Sequence, residues 1–138
     1  MIAAAAALTP AQRRGYAARF VGIPYRVPSS DCYGLAQWFL GDLGYRLPWG
    51  EERPRGKFDL LAAAIIHPAL RRVDAAEWGD ILIYAAAPGF LHGSLAICLD
   101  EEMVLTTRRE TKSVILRQSR IRQPLLGAFR VREEVRHG

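Results

Sequence analysis

The stretch Asp31-Cys32-Tyr33-Gly34-Leu35 decides how this sequence is interpreted. It follows Pro28-Ser29-Ser30, and a Ser-Ser-Asp run directly before an apolar segment is typical of a helix N-cap. The pattern predicts a helix over Cys32–Leu43, ended by Gly44. Cys32 then lies in the first helical turn, where unpaired N–H groups and the helix dipole favour a thiolate. The same N–H groups can hold an oxyanion that develops on an attacked carbonyl.

A nucleophilic cysteine needs a neighbouring base, and the chain offers three histidines. His137 is the penultimate residue, and His67 precedes Pro68 at a predicted helix end, where a contact with the helix dipole explains it. His92 lies in a loop that opens directly into a predicted strand. A histidine at a strand edge opposite a helix-borne cysteine suits nucleophilic catalysis. The alternatives stay open: Cys32 as a small buried hydrophobe, and His92 as an exposed loop residue.

The remaining patterns predict helices first and strands afterwards. A first helix is expected at about 9–21, with Thr9 as N-cap and Pro10 at its first position, and a third at about 57–66. Beyond residue 73 the apolar pattern alternates and predicts five short strands: Asp80–Tyr84, Ser94–Leu99, Met103–Thr107, Ser113–Arg117 and Gly127–Arg132. Helices followed by strands indicate an α+β class, with helices on one mostly antiparallel sheet.

Length and composition set limits on the function. The chain has 138 residues, of which 50% are hydrophobic, and this predicts a single domain over residues 1–138. Its apolar runs are far shorter than the ~20 residues of a membrane span. The Ala-rich start lacks the basic segment of a signal peptide, so we interpret it as the segment that leads into the first helix and not as a signal peptide. Cys98 is expected in the sheet interior. No spacing typical of a metal or cofactor site occurs.

Positive charge is concentrated at the C-terminal end. Residues 104–138 hold nine Arg or Lys and three Asp or Glu, a net charge of +6. This basic third could attract nucleic acid, an anionic glycan or an acidic protein. Zinc-finger spacings, phosphate-binding glycine loops and interleaved aromatic residues are absent from the sequence, which argues against nucleic acid. A solvated sheet face rich in arginine is an equal alternative.

Four segments resemble, in this order, the NlpC/P60 family of papain-like cysteine peptidases, which cut peptide stems in bacterial cell walls. They are Gly22-Ile23-Pro24-Tyr25, Asp31–Leu35, Gly79-Asp80-Ile81-Leu82 and His92–Ile97. The resemblance extends from about residue 11 to residue 131. It implies the papain-like NlpC/P60 fold, with N-terminal helices packed on a five-stranded, mostly antiparallel sheet.

The resemblance also implies roles for individual residues. Cys32 would be the nucleophile, its N–H an oxyanion donor, and His92 the general base and later the acid. Tyr25 matches the tyrosine that helps to shape the site. The family orients the histidine with a His, Asn or Gln on the next strand, whereas this chain has Thr106 there, with Thr107 as the second choice. From the residues alone, Trp49 is a candidate for the border of a substrate groove.

The implied function is a cysteine endopeptidase or amidase that acts on peptidoglycan stem peptides. The loop at residues 26–30 is shorter than in secreted wall hydrolases and resembles domains of phage tail tips, which are made in the host cytoplasm without a signal peptide and carried in the virion. Other tail-tip proteins would then bind the basic C-terminal third. One alternative is a structural tail-tip or hub subunit with a vestigial site. Another is an acyltransferase on a related scaffold.

Overall fold

The computed structural model describes residues 1–27, 29–47, 64–65, 67–86 and 94–136. Within these residues three helices precede six strands. The helices are α1 (Ala3–Ala6), α2 (Pro10–Ala18) and α3 (Cys32–Gly41). The strands are β1 (Leu70–Val73), β2 (Ile81–Tyr84), β3 (Ser94–Cys98), β4 (Met103–Arg108), β5 (Thr111–Arg117) and β6 (Leu125–Val131). Short 3₁₀ turns follow β5 and β6 at Gln118–Arg120 and Glu133–Val135.

The strands form one sheet in the order β1-β6-β2-β3-β4-β5, and every described pair of neighbours is antiparallel. The predicted α+β class is confirmed, but the prediction of five strands misses β1. That strand has the sequence Leu-Arg-Arg-Val at the edge of the sheet, with both arginines exposed. A short edge strand with charged side chains shows no clear alternation of apolar and polar residues, so the sequence does not predict it. β1 is recognised as a strand only from its pairing with β6.

The two helices predicted from their caps, α2 and α3, start at the expected residues. Thr9 caps α2 by accepting a hydrogen bond from the Gln12 N–H, and the Gln12 side chain accepts one from the Thr9 N–H in return. Both predicted helices end earlier than expected, α2 at Ala18 and α3 at Gly41. The Ala-rich start forms α1, which buries Ala4 and Ala5. Most of the third predicted helix, at about 57–66, lies outside the described residues.

Two apolar clusters cover the two faces of the sheet. The helices pack on one face, where Phe39 of α3 meets the inward side chains of the strands, such as Ile83 and Leu105. The opposite face buries Leu82, Tyr84, Ala96, Cys98, Val104 and Ala128. Cys98 is therefore in the sheet interior, as predicted. Trp78 is buried as a packing residue, whereas Trp38 is 46% exposed and rests its ring on Phe20.

Candidate active site

Asp31 fixes the start of α3 and with it the position of Cys32. The Asp31 Oδ1 accepts a hydrogen bond from the Gly34 N–H at 2.8 Å, and the Asp31 carbonyl accepts one from the Leu35 N–H. The predicted cap is thus confirmed. Cys32 is the first residue of α3 and is half-buried. The N-terminal end of a helix, where Cys32 lies, concentrates unpaired N–H groups and the positive end of the dipole.

α3, which begins with this cysteine, packs on the sheet. Its buried residues Leu35, Phe39 and Leu40 belong to the core cluster on the helix face, and α3 packs against β3 and β4. β3 begins at Ser94, two residues after His92 in the sequence. His92 and Trp49 themselves lie outside the described residues. Their predicted roles as base and as groove residue remain predictions.

Tyr25 lies close to Cys32, as its electrostatic environment shows. Burial raises the pKa of Tyr25, and the Cys32 thiol and the Asp31 carboxylate raise the pKa further. The Arg109 guanidinium lies beside the Tyr25 hydroxyl and acts in the opposite direction. The structure therefore brings together Tyr25, Cys32 and Asp31, which the sequence predicts as neighbours, and adds Arg109, which it does not.

The loop that carries Tyr25 is held at both ends. On its N-terminal side, Ser113 of β5 accepts a hydrogen bond from the Ile23 N–H at 2.7 Å and donates one to the Phe20 carbonyl at 2.5 Å through the same hydroxyl. The backbone of Ser113 makes two more hydrogen bonds, to Gly22 and Ile23. On the C-terminal side, the Ser30 hydroxyl donates to the Pro24 carbonyl at 2.7 Å. The segment before Cys32 is thus fastened to the sheet.

The two threonines proposed to orient the histidine point to opposite faces of β4. Leu105 packs in the helix-side cluster and Val104 in the opposite one, so alternation places Thr107 on the α3 face and Thr106 on the other. Both are 5% exposed. The Thr106 hydroxyl donates to the Leu95 carbonyl at 3.1 Å. The Thr107 hydroxyl oxygen is buried and has no hydrogen-bond partner among the described residues.

Sequence reasoning missed two residues near this site. Ser113 reads as an ordinary strand residue, and nothing local signals its bonds to Phe20 and Ile23. Arg109 belongs to the basic C-terminal third, which the sequence singles out only as a charged region. It lies in the two-residue turn between β4 and β5, and that hairpin brings it to Tyr25.

The described residues contain no cluster of three or more His, Cys, Asp or Glu side chains that could hold a metal ion. None of the helices within the described ranges has the length and apolar character needed to cross a membrane.

Comparison with known proteins gives matches among solved structures. NlpC1 from Trichomonas vaginalis matches at a TM-score of 0.61 and 15% identity, over 88% of this chain and 44% of that chain. The NlpC/p60 domain of the peptidoglycan hydrolase SagA matches at a TM-score of 0.54 and 18% identity, over 90% of this chain and 100% of that chain. An NLP/P60-family protein similar to a lipoprotein, from Staphylococcus aureus, matches at a TM-score of 0.56 and 21% identity, over 91% of this chain and 41% of that chain.

These matches define the fold. The chain has the fold of NlpC/P60 domains, which confirms the predicted fold class. The match covers less than half of the length of the Trichomonas and Staphylococcus proteins. It covers the whole of the SagA domain. Neither the protein-family models nor the curated proteins compared with the sequence give a match.

Proposed function

We propose that this chain is a cysteine peptidase that hydrolyses amide bonds in the peptide stems of peptidoglycan. The position of Cys32 carries the proposal. Cys32 is half-buried at the first residue of α3 and lies near Tyr25, within the fold of NlpC/P60 domains. The peptidoglycan hydrolase SagA among the structural neighbours supports the substrate class.

The proposed reaction has two halves. The Cys32 thiolate attacks the amide carbonyl carbon and forms a carbon–sulfur bond, while N–H groups at the start of α3 stabilise the oxyanion. The carbon–nitrogen bond then breaks, and protonated His92 gives its proton to the leaving amine. In the second half His92 takes a proton from water, which attacks the thioester. This step regenerates the thiolate and protonated His92 and releases the new carboxylic acid, which loses its proton to solvent.

A threonine hydroxyl on β4 is proposed to orient His92. Thr106 is the first choice from the sequence, but it lies on the face of β4 away from α3 and its O–H is already donated to Leu95. Thr107 is the alternative, because its buried hydroxyl has no described partner and it lies on the α3 face. Replacement of each by valine removes only the hydroxyl at nearly constant shape. The variant whose kcat falls by about tenfold, with KM unchanged, identifies the orienting residue.

The proposal is tested by digestion of purified peptidoglycan, with the released peptides identified by mass spectrometry. Wild type is expected to release stem-peptide fragments, and Cys32→Ala to release none. Cys98→Ser is the matched control, because it removes the other thiol from the far face of the sheet and should leave the products unchanged. His92→Ala should lower the rate at least about a hundredfold. Equal digestion by wild type and Cys32→Ala would refute the peptidase.

A structural role in a phage tail tip is the second candidate, and the tail tip is also the proposed place of action of the peptidase. It is supported by exposed arginines on the C-terminal third: Arg117, Arg120, Arg122 and Arg132. Such charges can steer and bind an acidic neighbouring subunit. Mass spectrometry of purified phage particles should find the chain in the tail fraction. Its presence there without peptidoglycan cleavage would favour the structural role.

A further inference from the structure

The hairpin between β4 and β5 places a cluster of positive charge beside the candidate site. Its turn consists of Arg109 and Glu110; Arg108 is the last residue of β4 before the turn, and Lys112 is the second residue of β5 after it. All four side chains are exposed. Arg26, also exposed, follows Tyr25 directly in the chain. The hairpin and the Tyr25 loop thus carry four exposed basic side chains, Arg26, Arg108, Arg109 and Lys112, of which Arg109 lies beside Tyr25.

Ser113 holds the hairpin in a fixed relation to the Tyr25 loop. It is 3% exposed, and its hydroxyl and backbone together make four hydrogen bonds to Phe20, Gly22 and Ile23. On the hairpin, Ser113 follows Arg109 by four residues. On the loop, its partner Ile23 precedes Tyr25 by two residues. Such short connections leave Arg109 little freedom to move away from Tyr25.

Arg109 is placed beside the candidate site in a position to contact a substrate. Its guanidinium lies beside the Tyr25 hydroxyl, and Tyr25 in turn lies near Cys32. Among the described residues no carboxylate forms an ion pair with Arg109. The Asp31 carboxylate is already engaged in capping α3 through Gly34. A guanidinium binds a carboxylate through two parallel hydrogen bonds, which gives both affinity and orientation.

We propose that Arg109 is a substrate-binding residue that selects a peptide with a free carboxylate close to the amide bond attacked by Cys32. The inference rests on the proposed peptidase function and names the substrate chemistry of that site. Tyr25 lies near both groups, so the carboxylate and the scissile carbonyl would both bind within reach of its hydroxyl. A peptide whose carboxylate is converted to a carboxamide loses the charge and is bound less well.

The test uses two synthetic stem peptides that are identical except that the carboxylate next to the scissile amide is free in one and amidated in the other. Binding to Cys32→Ala is measured by calorimetry, and turnover by wild type is measured in parallel. The free acid is expected to bind about tenfold more tightly, as a charge-assisted hydrogen bond at a partly exposed site allows. Adding Arg109→Gln should remove this preference and leave the affinity for the amide unchanged. Arg108→Gln is the matched control and should keep the preference.

The outcomes separate the two proposals. Equal affinity of Cys32→Ala for the two peptides, a preference that survives Arg109→Gln, or no binding of either peptide would overturn the role of Arg109. A preference that depends on Arg109, together with no turnover by wild type, would support the carboxylate site and refute the peptidase. A preference lost equally in Arg108→Gln would show that only the overall charge matters, which also overturns the proposal.

Discussion

At the scale of single residues, Asp80 is the most deeply buried of the charged side chains described. Arg130 binds it through two hydrogen bonds, from Nε to Oδ1 at 2.9 Å and from Nη2 to Oδ2 at 2.8 Å. The Glu77 N–H donates to Oδ2 as well. Asp80 is fully buried, and these bonds join the start of β2 to β6. A buried pair of this kind is costly to break, because removing one partner leaves the other charge uncompensated.

Asp80→Asn should therefore lower the free energy of unfolding by about 3 kcal/mol, as measured by urea denaturation. Asp74→Asn, at an exposed position on the same connection, is the control and should change it by less than about 0.5 kcal/mol. Similar urea midpoints for the two variants would contradict the importance assigned to the pair.

The two thiols should differ in reactivity. Burial and the nearby Asp80 carboxylate raise the pKa of Cys98 to about 12, which leaves almost no thiolate at neutral pH. Cys32 is half-buried at a helix N-terminus, where a thiolate is stabilised. Iodoacetamide at pH 7 should alkylate Cys32 at least about tenfold faster than Cys98. The two rates are measured by mass spectrometry of the peptides that contain each cysteine. Equal rates would argue against an activated Cys32.

At the scale of elements, the turn before β2 depends on a glycine. Gly79 has φ +89°, and an added Cβ would lie 2.9 Å from the Cδ1 of Ile2, which is fully buried beneath the turn. Gly79→Ala should lower the free energy of unfolding by about 1–2 kcal/mol, through backbone strain and the clash. Gly15→Ala is the matched control. It lies within α2 with open space around the new Cβ, so it should raise stability by up to about 1 kcal/mol. Changes of the same sign would contradict this account.

The connection that leads into β1 should make stability depend on pH. The Nδ1 of His67 accepts a hydrogen bond from the Ala69 N–H at 3.1 Å, which requires an unprotonated nitrogen, and burial lowers the pKa of His67. The unfolded chain then binds the proton more readily than the folded one. The stabilising contribution is complete above pH ~6.5 and is lost as the pH falls through the folded pKa.

His67→Asn offers an amide oxygen in place of Nδ1 and does not titrate. The decrease in the free energy of unfolding between neutral and mildly acidic pH should therefore be smaller in this variant than in wild type. Chemical denaturation across this pH range measures both slopes. Parallel curves would show that His67 does not contribute to the pH dependence.

At the scale of the whole molecule, helices and sheet share tyrosines that are fully or partly buried and should limit stability in alkali. Burial is the main cause that raises the pKa of Tyr16, Tyr45 and Tyr84. Tyr16 donates to the Phe39 carbonyl in α3, and Tyr45 donates to the Glu133 carboxylate beyond β6. Unfolded tyrosines ionise first as the pH rises, so the stabilising contribution is complete below pH ~10 and is lost above it.

The urea concentration at the midpoint of unfolding should therefore decrease when the pH is raised from 9 to 11. These values lie about one unit on either side of the tyrosine pKa in unfolded chains. Tyrosinate absorbance should rise together with the loss of folded structure. The denatured chain serves as the control and should titrate near pH ~10 with no transition. Free ionisation of all tyrosines in the folded protein would contradict their burial.

The sequence by itself determined the features that depend on a few neighbouring residues. Asp31 and Gly34 form a cap over a single helical turn, so the start of α3 and the position of Cys32 could be predicted. The alternation in β2, β3 and β4 likewise predicted a sheet and the burial of Cys98. These signals are local, because a cap needs three residues and a strand face needs alternate ones.

Only the tertiary structure decided the features that join distant parts of the chain. β1 exists because β6 pairs with it, Ser113 meets Phe20 and Ile23 across 90 or more residues, and Arg109 reaches Tyr25 through a hairpin. The faces of Thr106 and Thr107 likewise depended on which side of the sheet the helices cover. No local pattern encodes these contacts, because they follow from how the sheet and helices pack, and the candidate site lies where those distant segments meet.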